Sequence, residues 1–268
     1  MTKNFLLLFL WIFLLATSCS KFSKIQKSDS VSKKLEAGIA YYNKKDYYKA
    51  ATLLDEIVPL LKGKQEAEDA QYYQAMTYFQ DKQYVMSAYY FKDFNETYPR
   101  SARAEECAFL HAKSLYFDSP RHDLDQTTTL EALTALQSFA NRYPSSTFLQ
   151  EVNTLSDELN EKIEFKDYEN AKLFYNIKNY KAAVVTFNNF LDKYPESEYG
   201  EEIAYLRIQS QFQLAKQSVE GIKKKNRYLD TIEYYHNFID RYPNTKFKKP
   251  AEVIYDLCNK FISDQVKV

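Results

Sequence analysis

The chain has 268 residues with 36 basic and 36 acidic side chains, so its formal net charge of zero gives no net electrostatic attraction to nucleic acid. Its four glycines are too few for the turns and phosphate loops of β-rich and α/β proteins, which predicts a chain that is helical throughout. The 24 tyrosines and 19 phenylalanines suit helix pairs that interlock through large rings.

The N-terminus has the pattern of a secretory signal peptide. An unbroken apolar run of eleven residues, Phe5 to Leu15, is shorter than the roughly 20 residues that span a membrane. Small residues then lead to Cys19, as in the lipobox of bacterial lipoproteins, although Ala16 stands where Leu is usual. We therefore predict a lipoprotein signal peptide over residues 1–18 and lipidation of Cys19.

The residues around Cys19 also predict where the chain is anchored. Ser20 follows the cysteine instead of the Asp that favours retention in the inner membrane, and no acidic run of the kind used for surface export follows. We expect the acylated cysteine to hold the protein in the periplasmic leaflet of the outer membrane. An ordinary signal peptide cut near Ala16 or Ser18 is the alternative. Residues 19–30 are polar and aperiodic, which predicts a flexible, lipidated tether.

From residue 31 onward one pattern recurs five times in amphipathic helices. An aromatic or β-branched residue is followed three positions later by a small residue and four positions after that by a large one, which keeps all three on one helical face. The small residue lets a neighbouring helix approach closely. The five trios are Tyr47, Ala50 and Leu54; Tyr84, Ser87 and Phe91; Thr129, Ala132 and Leu136; Tyr180, Ala183 and Phe187; and Tyr228, Thr231 and Tyr235.

Four helices are predicted to end at a Tyr-Pro pair. Proline stops the outgoing helix, and a Ser, Thr or Asn shortly afterwards caps the next one. These pairs begin at Tyr98, Tyr143, Tyr194 and Tyr242. The small residues of the trios lie 37 to 51 residues apart, whereas a plain tetratricopeptide array holds to 34, so we expect some longer helices or insertions.

Together these patterns predict an all-α, tetratricopeptide-like helical-hairpin solenoid of five repeats plus a C-terminal capping helix, with an irregular helical bundle as the alternative. The predicted division places repeats 1–3 in residues 31–146, and repeats 4–5 with the capping helix in residues 147–268. Cys107 and Cys258 lie far apart in apolar helical contexts, which favours buried free thiols over a disulfide.

No catalytic or metal-binding constellation can be assembled from the residues, and no cofactor is predicted. The three histidines lie in unrelated repeats, and His111 reads as a packed side chain. Adjacent carboxylates such as Glu105 and Glu106 point about 100° apart on a helix and do not converge on a substrate. The run Lys223 to Lys225 reads as a solvated loop, with contact to an acidic partner or anionic lipid as the alternative.

The lipobox at Cys19, five repeats with a terminal helix, and the stretch Phe190 to Ser197 resemble the BamD family of the outer-membrane β-barrel assembly machinery, over the whole chain. That resemblance implies a non-enzymatic scaffold that helps fold and insert β-barrel proteins. It implies two partners: the POTRA domains of a BamA-type barrel subunit through the C-terminal half, and unfolded barrel proteins through the N-terminal repeats. A tetratricopeptide lipoprotein of another cell-envelope complex, for cell-wall or division coordination, is the alternative.

The substrate site is predicted on the first helices of the early repeats, because in this architecture one face of each lines a concave groove. The positions on that face are apolar or aromatic, which suits an extended, aromatic-ended segment with pockets for alternate side chains. Packing of some of them inside the protein is the alternative. The predicted groove residues are Leu35, Ile39 and Tyr42 in repeat one; Tyr72, Met76 and Phe79 in repeat two; and Phe109 in repeat three.

Overall fold

The computed structural model describes residues 21–266, and the regular elements within that range are all helices. A 3₁₀ turn at Val58–Leu61 follows the second helix. In chain order the helices are α1 Val31–Asn43, α2 Tyr47–Ile57, α3 Ala67–Gln80, α4 Tyr84–Thr97, α5 Ala104–Asp118, α6 Thr127–Arg142, α7 Leu149–Asn176, α8 Tyr180–Lys193, α9 Gly200–Lys216, α10 Ile222–Arg241 and α11 Lys248–Val266.

The predicted all-α, tetratricopeptide-like fold is confirmed. Successive helices pack as antiparallel hairpins, and the small residue of each trio lies on the second helix of its hairpin, where it is fully buried. The first hairpin shows why: Gly38 of α1 packs directly on Leu54 of α2, and a side chain at Gly38 would meet it. The recurring trio therefore marks the line along which each second helix touches its partner.

Three of the hairpin turns share one conformation. Lys45, Lys82 and Lys178 each adopt a φ of 60°, the left-handed geometry that ends a helix and reverses the chain. In two of these turns the next residue caps the following helix, because the side chains of Asp46 and Asn179 accept hydrogen bonds from backbone N–H groups three residues later.

The predicted Tyr-Pro terminators also have a common geometry. The four helices α4, α6, α8 and α10 each end with the tyrosine as the C-terminal cap. A Ser or Thr shortly after each Tyr-Pro pair then begins the next turn. Its side-chain hydroxyl accepts a hydrogen bond from the backbone N–H of the residue two positions later. These acceptors are Ser101, Ser146, Ser197 and Thr245.

The chain divides into two compact units, one ending at Leu159 and the other beginning at Asn160. The sequence places the division after Ser146, at the end of the third repeat. The difference arises because α7 is one uninterrupted helix of 28 residues. Its first half buries residues such as Val152 in the core of the first unit, and its second half buries residues such as Tyr168 in the second.

Within the second unit α11 covers the last hairpin, as predicted for the capping helix. Its buried residues are Ala251, Ile254 and Cys258. Two stacked ring pairs join it to α10: the centroids of Tyr228 and Phe261 are 4.0 Å apart, and Tyr235 stacks in the same way on Tyr255. The apolar face of the fifth repeat is thus buried by α11.

Part of the predicted tether is helical, over residues 21–26. The ring of Phe22 packs edge-on against Tyr41 of α1, with centroids 5.6 Å apart, and the Lys49 ammonium lies 5.9 Å from the Phe22 ring. A single aromatic residue in a polar segment therefore attaches it to the first repeat.

Candidate functional site

The structure places the seven predicted groove residues in two groups. Leu35 and Phe109 are buried and belong to the hydrophobic cores, so they offer no surface to a partner. Phe109 stacks on Phe148 with centroids 4.5 Å apart. The alternative of internal packing therefore holds for these two side chains. The five others are only partly buried, on α1 (Ile39 and Tyr42) and on α3 (Tyr72, Met76 and Phe79).

Three rings on α1 and α3 contact one another. Tyr42 packs edge-on against Tyr73 with centroids 5.4 Å apart, and Tyr73 lies 5.5 Å from Tyr72 in the same manner. One turn further along α3, Met76 packs against the core of the first unit, and Phe79 follows it. Tyr42 of the first repeat thus contacts the second repeat through Tyr73, which is not one of the predicted groove residues.

Phe117 of α5, which the sequence analysis did not predict, contacts the ring of Phe79. Phe117 is 43% exposed, and its ring stacks on Tyr84 at 4.8 Å and lies 6.2 Å from Phe79. The signal was present in the sequence, because Phe117 lies eight residues after Phe109, and that spacing returns to the same side of a helix. We define the ring row as two groups of contacting rings, Tyr42, Tyr72 and Tyr73 in one and Phe79 and Phe117 in the other. Phe117 is its most accessible member.

Polar groups fix Tyr72 in the ring row. Its hydroxyl donates a hydrogen bond of 3.2 Å to Glu106 of α5, and the Arg103 guanidinium lies 4.4 Å from the ring centroid. Arg103 is in turn held by Asp69 at 2.5 Å. Burial, followed by the charge and the hydrogen bond of Glu106, raises the pKa of Tyr72 above its ordinary value. The hydroxyl therefore stays protonated and remains a donor at physiological pH.

A second cation lies beside the α5 end of the ring row. The Lys113 ammonium is 5.3 Å from the centroid of Phe109 and 6.0 Å from that of Phe117, and it pairs with Glu151 at 2.6 Å. Rings beside partly exposed cations and carboxylates can bind a chain that carries aromatic side chains and free backbone polar groups. The arrangement holds no nucleophile with an adjacent base, and it is suited to binding.

The second unit repeats the Tyr72 arrangement. Tyr168 of α7 donates to Glu202 of α9 at 3.0 Å, and the Lys172 ammonium lies 4.4 Å from the Tyr168 ring. In both units the tyrosine and the glutamate are 34 residues apart. That separation equals the tetratricopeptide period, so the two contacts occupy equivalent places between consecutive first helices.

The remaining side chains of chemical interest are packed. His111 hydrogen-bonds through Nδ1 to the Ala88 carbonyl at 2.9 Å. Cys107 and Cys258 are buried free thiols, as predicted, and burial raises the pKa of each to about 12. Within residues 21–266 no group of His, Cys, Asp and Glu side chains is arranged to hold a metal ion.

The predicted lipidation site lies outside the described residues, as does the predicted signal peptide of residues 1–18. Among the helices that are described, none combines the length and the apolar character required to cross a membrane.

The YfiO family, described as outer membrane lipoprotein, matches residues 27–184 and 163–268 of the chain. The chain is also similar to a protein of Aquifex aeolicus (strain VF5) named as an outer membrane protein assembly factor, BamD. The two are 27% identical over 224 residues, which cover 81% of this chain and 72% of that protein. The family match includes every member of the ring row and the second-unit pair of Tyr168 and Glu202.

Proposed function

Because the chain belongs to the YfiO family of outer membrane lipoproteins, we propose that it is a scaffold without enzymatic activity in the complex that assembles β-barrel proteins in the outer membrane. The family match over residues 27–268 carries this proposal. The name of the Aquifex aeolicus relative, an outer membrane protein assembly factor, supports the assembly role. A stack of helical hairpins with a partly exposed ring row is a suitable platform for such binding.

The anchor in this proposal is a lipid on Cys19, facing the periplasm from the outer membrane. The apolar run before the cysteine supports it. Mass spectrometry of the N-terminal peptide should show an acyl mass on Cys19, and Cys19→Ser should remove that mass and release the protein from the membrane fraction. An unmodified wild-type N-terminus would contradict lipid anchoring.

The principal partner in this proposal is a BamA-type barrel subunit, whose POTRA domains dock on the C-terminal half of the chain. A pull-down from detergent-solubilised outer membrane should recover that subunit with the wild-type protein. Truncation after Pro195 removes α9 to α11 and should abolish co-purification, while circular dichroism still shows helical first repeats. Retained binding by the truncated chain would place the partner surface in the first repeats instead.

The substrate in this proposal is the aromatic-ended C-terminal segment of an unfolded barrel protein, bound on the ring row. Tyr72 and Phe79 also pack against the core, so replacing either by alanine affects folding as well as binding. Phe117→Ala is the sharper variant because Phe117 is largely outside the core. Tyr48→Ala is a matched control, since Tyr48 is 76% exposed on α2 and outside the ring row.

Affinity for a synthetic barrel C-terminal peptide is the measurement. Phe117→Ala should weaken binding by roughly 1 to 2 kcal/mol, the range of a good aromatic anchor, while Tyr48→Ala leaves it unchanged. Tyr72→Ala and Phe79→Ala should weaken it as well. Equal affinity of all four variants and the wild type would show that the substrate binds elsewhere.

A further inference from the structure

A second surface of the first unit has the properties of a docking groove. It is a groove of about 980 Å³ bounded by α4 and α6, with α5 as its floor. It lies on the second helices of repeats two and three, whereas the ring row includes residues of the first helices α1, α3 and α5. It goes beyond the proposed function and does not depend on it.

The contacts of α5 establish the direction of the groove. Ser87 of α4 bonds to Ser114 of α5, and Ala88, one residue later on α4, bonds to His111, three residues earlier on α5. The contacting residues run in opposite order on the two helices, so α4 and α5 are antiparallel.

Helices α5 and α6 are also antiparallel. Ser119 near the end of α5 bonds to Thr129 near the start of α6, and Phe109 near the start of α5 packs on Phe139 near the end of α6. Helices α4 and α6 are therefore parallel to each other, and the groove between them runs along both axes.

Small residues lie on all three helices of the groove. Ala108 on the α5 floor, Ala88 on α4 and Ala135 on α6 present only methyl groups, so a bound chain can approach the backbone closely. His111 and Leu115 of α5 also line the floor. The upper edges carry large apolar side chains that water reaches: Tyr89 on α4 is 62% exposed and Leu130 on α6 is 55% exposed. Exposed apolar side chains among polar ones, here Lys92, Glu131 and Thr134, suit contact with an amphipathic partner.

The shape of the groove fits an α-helix. Val85 and Tyr89 are one turn apart on the α4 edge. The α4 residues that line the groove extend from Val85 to Glu96, a length of about three helical turns or roughly 16 Å. Two parallel edges of this length accept the side chains at positions i, i+4 and i+7 of an amphipathic helix.

Charges at the two ends define the polarity of that helix. Asp118 and Glu131 lie where α4 and α6 begin, and Arg142 lies where they end, with Lys92 and Glu96 nearer that second end. None of these five side chains forms an ion pair with another residue in the part of the chain that the structure describes. Arg142 donates a hydrogen bond of 3.4 Å to the Pro99 carbonyl and lies 5.4 Å from the Tyr143 ring, neither of which neutralises its charge. All five charges can therefore pair with charges of complementary sign on a ligand.

We propose that this groove binds an amphipathic α-helix of a partner protein, antiparallel to α4 and α6, with acidic residues in its first turn and basic residues in its last. The acidic first turn meets Arg142, and the basic last turn meets Asp118 and Glu131. This arrangement also suits the partner helix itself, because acidic first turns and basic last turns complement its own dipole.

The probe is a fluorescein-labelled 15-residue peptide, held helical by a hydrocarbon staple on its polar face. It has leucines at i, i+4, i+7 and i+11, glutamates in the first turn and lysines in the last. A second stapled peptide has the two charged turns exchanged. Fluorescence polarisation with the full-length protein in detergent should show binding of the first peptide about tenfold tighter than of the second.

Two variants in the groove and one control outside it locate the site. Leu130→Glu should weaken binding of the first peptide about tenfold, whereas Leu173→Glu should not, although Leu173 on α7 is equally accessible at 54%. Arg142→Glu should reduce the preference for the first peptide over the second to less than twofold. The proposal is overturned if neither peptide binds, if Leu130→Glu binds as the wild type does, or if the two peptides bind equally to the wild type.

Discussion

At the residue scale, Gly38 lies where a side chain has no room. A Cβ atom there would be 3.0 Å from Leu54 Cγ and 3.1 Å from Cδ2, and Leu54 is fully buried, so it cannot move aside freely. Gly38→Ala should destabilise the protein by about 1 to 2 kcal/mol in urea denaturation because it overpacks the first hairpin.

Gly200→Ala is the matched control for that substitution. Its Cβ would meet the hydroxyl of Tyr242, the far end of a flexible side chain, and alanine favours the helix. We expect a smaller loss than at Gly38. An equal loss at both glycines would contradict the assignment of the cost at Gly38 to its contact with the buried Leu54.

His111 gives the first unit a pH-dependent stability. Burial lowers its pKa from the ordinary value, against the raising effects of the Ala88 hydrogen bond, Glu96 and Glu131, while Lys92 lowers it further. Below about pH 6.5 the unfolded chain binds the proton more readily than the folded one. The stability that neutral His111 contributes is therefore fully present above that pH. It is lost as the pH falls through the lower pKa that this residue has in the folded protein.

His111→Gln tests the sign, because glutamine does not titrate. In chemical denaturation between pH 7.5 and 5.5, the free energy of unfolding of the wild type should fall more steeply than that of the variant. Parallel profiles would mean that the two states of the wild type bind the proton equally.

The same scale shows what the sequence can and cannot predict about a site. Helical spacing groups Tyr72, Met76 and Phe79 on one side of α3, and all three pack against the same hydrophobic core. It could not distinguish Phe109, which is covered by Phe148 from a later loop, from Phe117, which is left open. Which neighbour covers a side chain depends on tertiary packing, and the period of one helix carries no information about it.

At the scale of elements, the three lysines with a φ of 60° identify strained turns. A non-glycine residue in the left-handed region costs about 1 kcal/mol relative to glycine. Lys45→Gly should therefore stabilise the protein by about 0.5 to 1 kcal/mol in urea denaturation. The neighbouring Lys44 has a φ of −85°, so Lys44→Gly should give no such gain and serves as the control. Stabilisation by both substitutions would point to a cause other than backbone strain.

The elements also show where local patterns predict structure well. The Tyr-Pro pairs and their hydroxyl residues determine a helix end and a turn within a few residues, and the structure has both where the sequence places them. The length of α7 was not predictable in this way. Residues 149–176 contain no proline or glycine to interrupt them, but the transfer of this helix from one core to the next depends on contacts far apart in the chain.

At the scale of the molecule, the spacing of the trios and the spacing of the contacts differ for a physical reason. The small residues lie 37 to 51 residues apart because loops and longer helices add length between hairpins. The contacts Tyr72 to Glu106 and Tyr168 to Glu202 keep a separation of 34 residues, since they join consecutive first helices. Stacking of first helices therefore retains the tetratricopeptide period where the rest of the repeat has lost it.

The two compact units should respond separately to the loss of a core side chain. Phe91 and Phe187 hold the same trio position in repeats two and four, and both are fully buried, one in each unit. Replacement of either by alanine should cost about 3 to 5 kcal/mol through lost burial and a cavity. In repeat proteins such a loss acts mainly on neighbouring repeats, because each repeat contacts only the next.

Hydrogen exchange followed by mass spectrometry distinguishes local from global effects. Phe91→Ala should accelerate amide exchange mainly in α3 to α6, and Phe187→Ala mainly in α8 to α10, each leaving the other unit close to wild type. The two variants are controls for each other, because the chemical change and the burial are the same. If either substitution accelerated exchange equally on both sides of Leu159, the chain would unfold as one cooperative body, and the two cores would not be energetically separate.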